Sequence, residues 1–191
     1  MQKISINEVV GPERYNHVRD QIRREIIALK NIRRVAVGDA ISFVFENRDT
    51  VKFQIQEMLR TEHITDLDQI RSEVDVYNEM IPDDGELSAT MFIEMTQQEQ
   101  IRPQLVRLIG IDSAVSLHIG QQFVLPAQFE GGRSTEDNLS AVQYVRFSFS
   151  PEAKAAFRDD SQEVAIVIDH PQYRARTILK PETRHALAAD L

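Results

Sequence analysis

The densest set of chemically useful side chains lies between Glu46 and Glu62: Arg48, Asp49, Gln54, Gln56, Glu57, Arg60 and Glu62. Arg48, placed at the start of a helix, can hold an anion or a carboxylate, or pair with Glu46 or Asp49. Gln54, Glu57 and Thr61 fall about one turn apart on one flank, and Glu57 pairs with Arg60 at i,i+3. Gln56 and Glu57 can orient a ligand. The ligand-binding candidates here are Arg48, Gln54, Gln56, Glu57 and Arg60. The same residues serve equally as a hydrogen-bonded network holding helix to sheet, because buried amides and carboxylates need partners.

A second candidate set is Asp169, His170 and Tyr173. The imidazole titrates near neutrality and suits an acid, a base or a ligand. Adjacent side chains in an extended stretch point apart, so Asp169-His170 is not by itself a dyad. A rigid turn fixed by Pro171 is the competing reading. Metal binding would draw on Glu57, Glu62, His63, Glu94, His118 and His170, but their spacing matches no metal motif. The chain lacks the GxSxG elbow of a serine hydrolase, and Glu130-Gly131-Gly132-Arg133 fits neither a P-loop nor a dinucleotide fingerprint. No motif specifies a reaction or a cofactor.

Composition narrows the classes further. The chain has 191 residues, no cysteine and a net charge of −8. Without cysteine there is no disulfide, thiolate metal site, iron–sulfur ligation or cysteine nucleophile. The negative balance argues against nucleic acid as a partner. No apolar run has the length of a membrane span or a signal-peptide core. The expectation is one cytoplasmic domain over residues 1–191.

These groups must be positioned by elements that hydrophobic periodicity exposes. Tyr15, Val18, Ile22, Ile26 and Leu29 repeat as one helical face opened by Gly11-Pro12. Arg33–Val37 and Ala40–Glu46 read as a hairpin about Gly38-Asp39. A central helix over 48–62 follows, capped by Asn47 or Asp49, with Val51, Ile55, Met58 and Leu59 facing a core. Phe53 lies off that stripe and suggests a second covered side, against the rest of the chain or another copy. A further helix, 67 to about 81, completes an αα-hairpin. Beyond the Pro82–Gly85 turn, a strand is expected over Leu87–Met95 and a helix from about Gln98. A hairpin about Gly120-Gln121 and a loop from Pro126 to about Leu139 come next. Strands over 142–149, 163–168 and 175–179 then alternate with a short helix from Pro151, a turn over 169–173 and a terminal helix from Pro181. Helices dominate 1–81 and strands 86–180, without βαβ alternation. The expected fold is α+β, a largely antiparallel sheet packed with helices.

Several segments carry a resemblance: Ala28-Leu29-Lys30, Phe45–Thr50 (FENRDT), Gln54–Leu59 (QIQEML) with Arg60, Ile81-Pro82 leading to Glu86-Leu87, the strand near 142–149, and Asp169–Tyr173 (DHPQY). Together they span nearly the whole chain, which resembles the bacterial DUF3501 family, one of unknown function. The resemblance implies no reaction. It implies association with rubrerythrin-like and iron–sulfur redox proteins. The chain itself lacks the cysteines and the paired Glu-x-x-His helices of a rubrerythrin.

The expected role is therefore a non-catalytic accessory or binding protein, with a redox-protein partner or a second copy as its associate. The alternative is a small enzyme or metal-binding protein, with its site between the helix over 48–62 and the sheet.

Overall fold

The computed structural model describes residues 1–94, 101–131, 134–135 and 138–191. Met95 and Gln98, where a strand end and a helix start were expected, lie outside the described residues.

Pro12 at the first helical position opens α1 (Pro12–Ile32). Strands β1 (Arg34–Val37) and β2 (Ile41–Glu46) form the expected hairpin, its turn carrying Gly38 at φ +74°. Asn47 caps α2 (Arg48–Thr61): its side chain accepts from Thr50 N at 3.0 Å, and Thr50 Oγ1 accepts from Asn47 N at 2.9 Å. Asp66 caps α3 (Leu67–Asn78) by accepting from two backbone N–H groups, and α3 packs on α2. The chain continues through β3 (Glu86–Ile93), α4 (Ile101–Arg107), β4 (Val115–Ile119) and β5 (Phe123–Pro126). Three two-residue strands follow: β6 (Gln128–Phe129), β7 (Ser134–Thr135) and β8 (Asn138–Leu139). Then come β9 (Val142–Ser148), α5 (Pro151–Arg158), β10 (Val164–His170), β11 (Tyr173–Ile178) and α6 (Pro181–Ala188).

The expected loop over 126–139 thus contains strands. Two residues cannot display a period of two, so their pairing was invisible in the sequence. The expected turn over 169–173 shrinks likewise, because β10 runs through His170 and β11 begins at Tyr173.

Every strand pair is antiparallel. One sheet runs β1-β2-β3-β9-β6 and another β11-β10-β4-β5. Their facing residues share one apolar core, with Phe43, Phe45, Leu87, Met91 and Phe147 on one side and Leu117, Ile166 and Ile168 on the other. A second, separate core lies among the N-terminal helices: Ile4, Val51, Ile55, Leu59, Val74 and Ile81.

Between the two cores lies the other face of the first sheet. Register pairs Glu46 with Ser88, Ser88 with Arg146, Val44 with Thr90, and Thr90 with Tyr144. Directly paired residues share a face, so this face is largely polar and points away from the sheet-to-sheet core. The consequence is a buried polar layer, where each group must find a partner.

Candidate binding cavity

Glu46 ends β2 in that layer, 2% exposed. Its Oε2 accepts from Thr50 Oγ1 at 2.5 Å, and its Oε1 accepts from Thr90 Oγ1 at 2.6 Å. Thr50 stands where it does because the Asn47 cap starts α2 immediately after β2. Thr90 stands there through the register of β3. Among the described residues the Glu46 carboxylate has no ion-pair partner. The guanidinium of buried Arg33 donates instead to the Glu46 carbonyl at 3.1 Å and forms a salt bridge with Asp190. A carboxylate has about four acceptor positions, and two hydroxyls fill only two of them.

Glu46 lines a cavity of about 470 Å3 between this sheet face and α3. Tyr77 and Met80, with the exposed Val76, form the α3 side. Ser88, Tyr144 and Arg146 come from the sheet, and Gln128, Phe129 and Glu130 from and beside its edge strand β6. Arg146 donates to Glu86 Oε2 at 2.8 Å and to the Glu79 carbonyl. Burial pushes the Tyr77 hydroxyl above its ordinary pKa, helped by nearby Tyr144 and Glu73. The size suits a small molecule, and the wall mixes apolar surface with a few directed polar groups.

The sequence-derived candidates lie elsewhere. Glu57 faces α1: it accepts from both Arg19 Nε and Nη2 at 2.7 Å and from the Tyr15 hydroxyl at 2.8 Å. The Arg19 guanidinium, and then the Tyr15 hydroxyl, hold the Glu57 carboxyl below its usual range, against the opposing effect of burial. Tyr15 in turn is pushed well above the usual tyrosine value by burial and by Glu57. Arg60 Nε lies 3.9 Å from Glu57 Oε1. Arg60 Nε and Gln54 Nε2 are buried without hydrogen bonds. Gln56 pairs with the N-terminal lead as a strand would, Oε1 accepting from Val10 N at 2.8 Å and Nε2 donating to Val10 O at 2.9 Å. Arg48 donates to Gln2 O and pairs with Glu8.

The second set is split between solvent and the sheet contact. Asp169 is exposed and pairs with Arg174 at 3.0 Å. His170 is buried: Nε2 donates to Ile109 O at 3.0 Å while Nδ1 accepts from Gln172 N at 3.2 Å. Tyr173 donates its hydroxyl to Val37 O at 2.7 Å and accepts from Ala40 N at 3.1 Å, tying β11 to the β1–β2 turn. Among the described residues the two sets share no hydrogen-bond or ion-pair partner. Glu94 bonds to Ser42 and Arg34, and His118 to Ser116. Among the described residues, no three His, Asp or Glu side chains converge for a metal ion.

The sequence candidates did not include Glu46, Tyr77 or Tyr144, which line this cavity, or Thr90, which holds Glu46. One signal was present. Ser88 and Thr90 alternate with Leu87, Ala89 and Met91, which marks a second, polar face on that strand.

Residues 3–191 match the family model described as "Protein of unknown function (DUF3501)". No curated protein matches the chain. A solved structure from Burkholderia pseudomallei K96243, described as a novel protein of unknown function, is 33% identical over 100% of both chains with a TM-score of 0.93.

Proposed function

We propose a binding role for this chain, which belongs to the DUF3501 family: it is a non-catalytic accessory protein whose ligand occupies the cavity beside Glu46. The observation that carries this reading is a buried carboxylate held by two hydroxyls at the inner wall of a cavity between two apolar cores. Burying a carboxylate without a counter-charge is costly. Spare acceptor capacity at such a group gives a ligand something to engage.

Arg48, Gln56 and Glu57 of α2 are assigned to holding α1, α2 and the N-terminal lead together. Tyr173 is assigned to joining the two large sheets, His170 to holding the segment at Ile109, and Asp169 to the exposed β10–β11 hairpin. Residues 1–191 are read as one domain, since β1 and β2 from the helix-rich part pair into the same sheet as β3 and β9. The cytoplasm is the proposed compartment, a reading in keeping with a cysteine-free composition.

The test is a fragment screen on 15N-labelled protein. Fragments that bind should shift the amides of Tyr77, Ser88, Gln128 and Tyr144 together, and Gln128→Trp at the exposed rim should suppress those shifts. A screen with no hits, or hits that map only to other surfaces, overturns the reading.

A further inference from the structure

The geometry points to a small organic cation, an amine or a quaternary ammonium group, as the ligand class of this cavity. The inference rests on the binding reading above and adds the chemistry of the occupant.

Charge comes first. Among the described residues, Glu46, Glu73 and Glu79 line the cavity together with one guanidinium, Arg146. That guanidinium is already committed to Glu86 and to the Glu79 carbonyl. The acids are graded in depth: Glu79 is exposed, Glu73 is half-buried, and Glu46 is sealed at the inner wall. An exposed acid steers a cation toward the opening, and an anion is repelled there. The deep carboxylate acts in a poorly screened setting, where an arriving positive charge is worth most.

Carboxylates alone would not define a site. The aromatic side chains supply the second element. Tyr77 on α3, Tyr144 on β9 and Phe129 on β6 come to the same cavity from three separate elements. The negative faces of such rings attract ammonium groups. A cation at the inner wall supplies the counter-charge that the buried Glu46 carboxylate lacks among the described residues, and a neutral occupant does not.

The experiment compares choline, putrescine and benzylamine with 3,3-dimethylbutan-1-ol, a neutral counterpart of choline, and with benzoate. Calorimetry gives affinity, and 15N amide shifts give location. At least one cation is expected to bind at the cavity amides at least tenfold more tightly than the neutral and anionic compounds. Its affinity should fall as salt is raised, and Glu46→Gln should weaken it tenfold or more. Glu73→Gln, at a half-buried position, gives a smaller loss in the same direction and keeps the test sound should the Glu46 variant not fold. Equal or tighter binding of the alcohol or benzoate at the same amides overturns the cation class and leaves the cavity reading standing. Silence of every cation while neutral fragments shift those amides does the same. Silence of cations and fragments alike overturns both.

Discussion

Thr50 donates its hydroxyl to Glu46 Oε2 at 2.5 Å, so the last residue of β2 and the first turn of α2 are joined through a buried carboxylate. The same threonine supplies both its N–H and its Oγ1 to the cap with Asn47. Thr90 holds the other Glu46 oxygen but has no part in that cap. Thr90→Val should therefore cost about 1–3 kcal/mol, the usual loss when a buried acceptor is left short of a partner. Thr50→Val should cost more, by roughly 1 kcal/mol for the cap. Urea unfolding of both variants checks the ranking; equal losses would refute the double role of Thr50.

Glu57 sets a pH dependence. Arg19 and then Tyr15 hold its folded pKa below the ordinary glutamate value. Between the folded and unfolded values the unfolded chain binds more protons, so stability rises with pH across that window. The contribution is complete above the unfolded pKa and is lost as pH falls through the folded one. Glu57→Gln should flatten this part of the acid limb of a stability-versus-pH curve. An unchanged limb in the variant would show that the pair contributes nothing.

Gly38 and Tyr173 are matched. A Cβ at position 38 would lie 2.3 Å from the Tyr173 hydroxyl oxygen, and φ is +74°. Tyr173→Phe removes two hydrogen bonds to the β1–β2 turn and should cost about 1–3 kcal/mol. Gly38→Ala should cost more, from the clash and the left-handed backbone together. In the double variant part of the steric penalty should vanish, since the oxygen is gone. A thermodynamic cycle measures this coupling, and strict additivity would argue against it.

Arg33 is buried and joins β2 to the C-terminus: Nε donates to Phe45 O at 2.8 Å, Nη2 to Glu46 O at 3.1 Å, and the guanidinium pairs with Asp190. Arg33→Met should cost about 3–5 kcal/mol, because it strands a largely buried carboxylate. Thermal unfolding should show the loss. A near-neutral Arg33→Met would mean that Asp190 turns to solvent without penalty.

The α+β class, the order of the main elements and the start of α2 were legible in the sequence, because turns, periodicity and cap chemistry are local. Asn47 or Asp49 was expected to cap α2, and the structure selects Asn47, which accepts from Thr50 N. The division of the strands among separate sheets was not legible, nor were the short strands within 126–139.

The partners of the polar groups were decided by tertiary structure alone. Glu57 looked like a site residue, yet its charge is met by Arg19, 38 positions earlier. His170 suited an acid, a base or a ligand by residue type, and in the fold both ring nitrogens are engaged by backbone groups. Glu46 looked like an ordinary strand end. Strand register set Thr90 beside it, and the packing of α3 over the first sheet made it the inner wall of a cavity. Sequence by itself determined which residues prefer helix or strand and which must be covered, since these depend on spacing along the chain. Which carboxylate is neutralised and which is left facing a cavity depends on groups brought together from distant positions, and only the folded chain settles that.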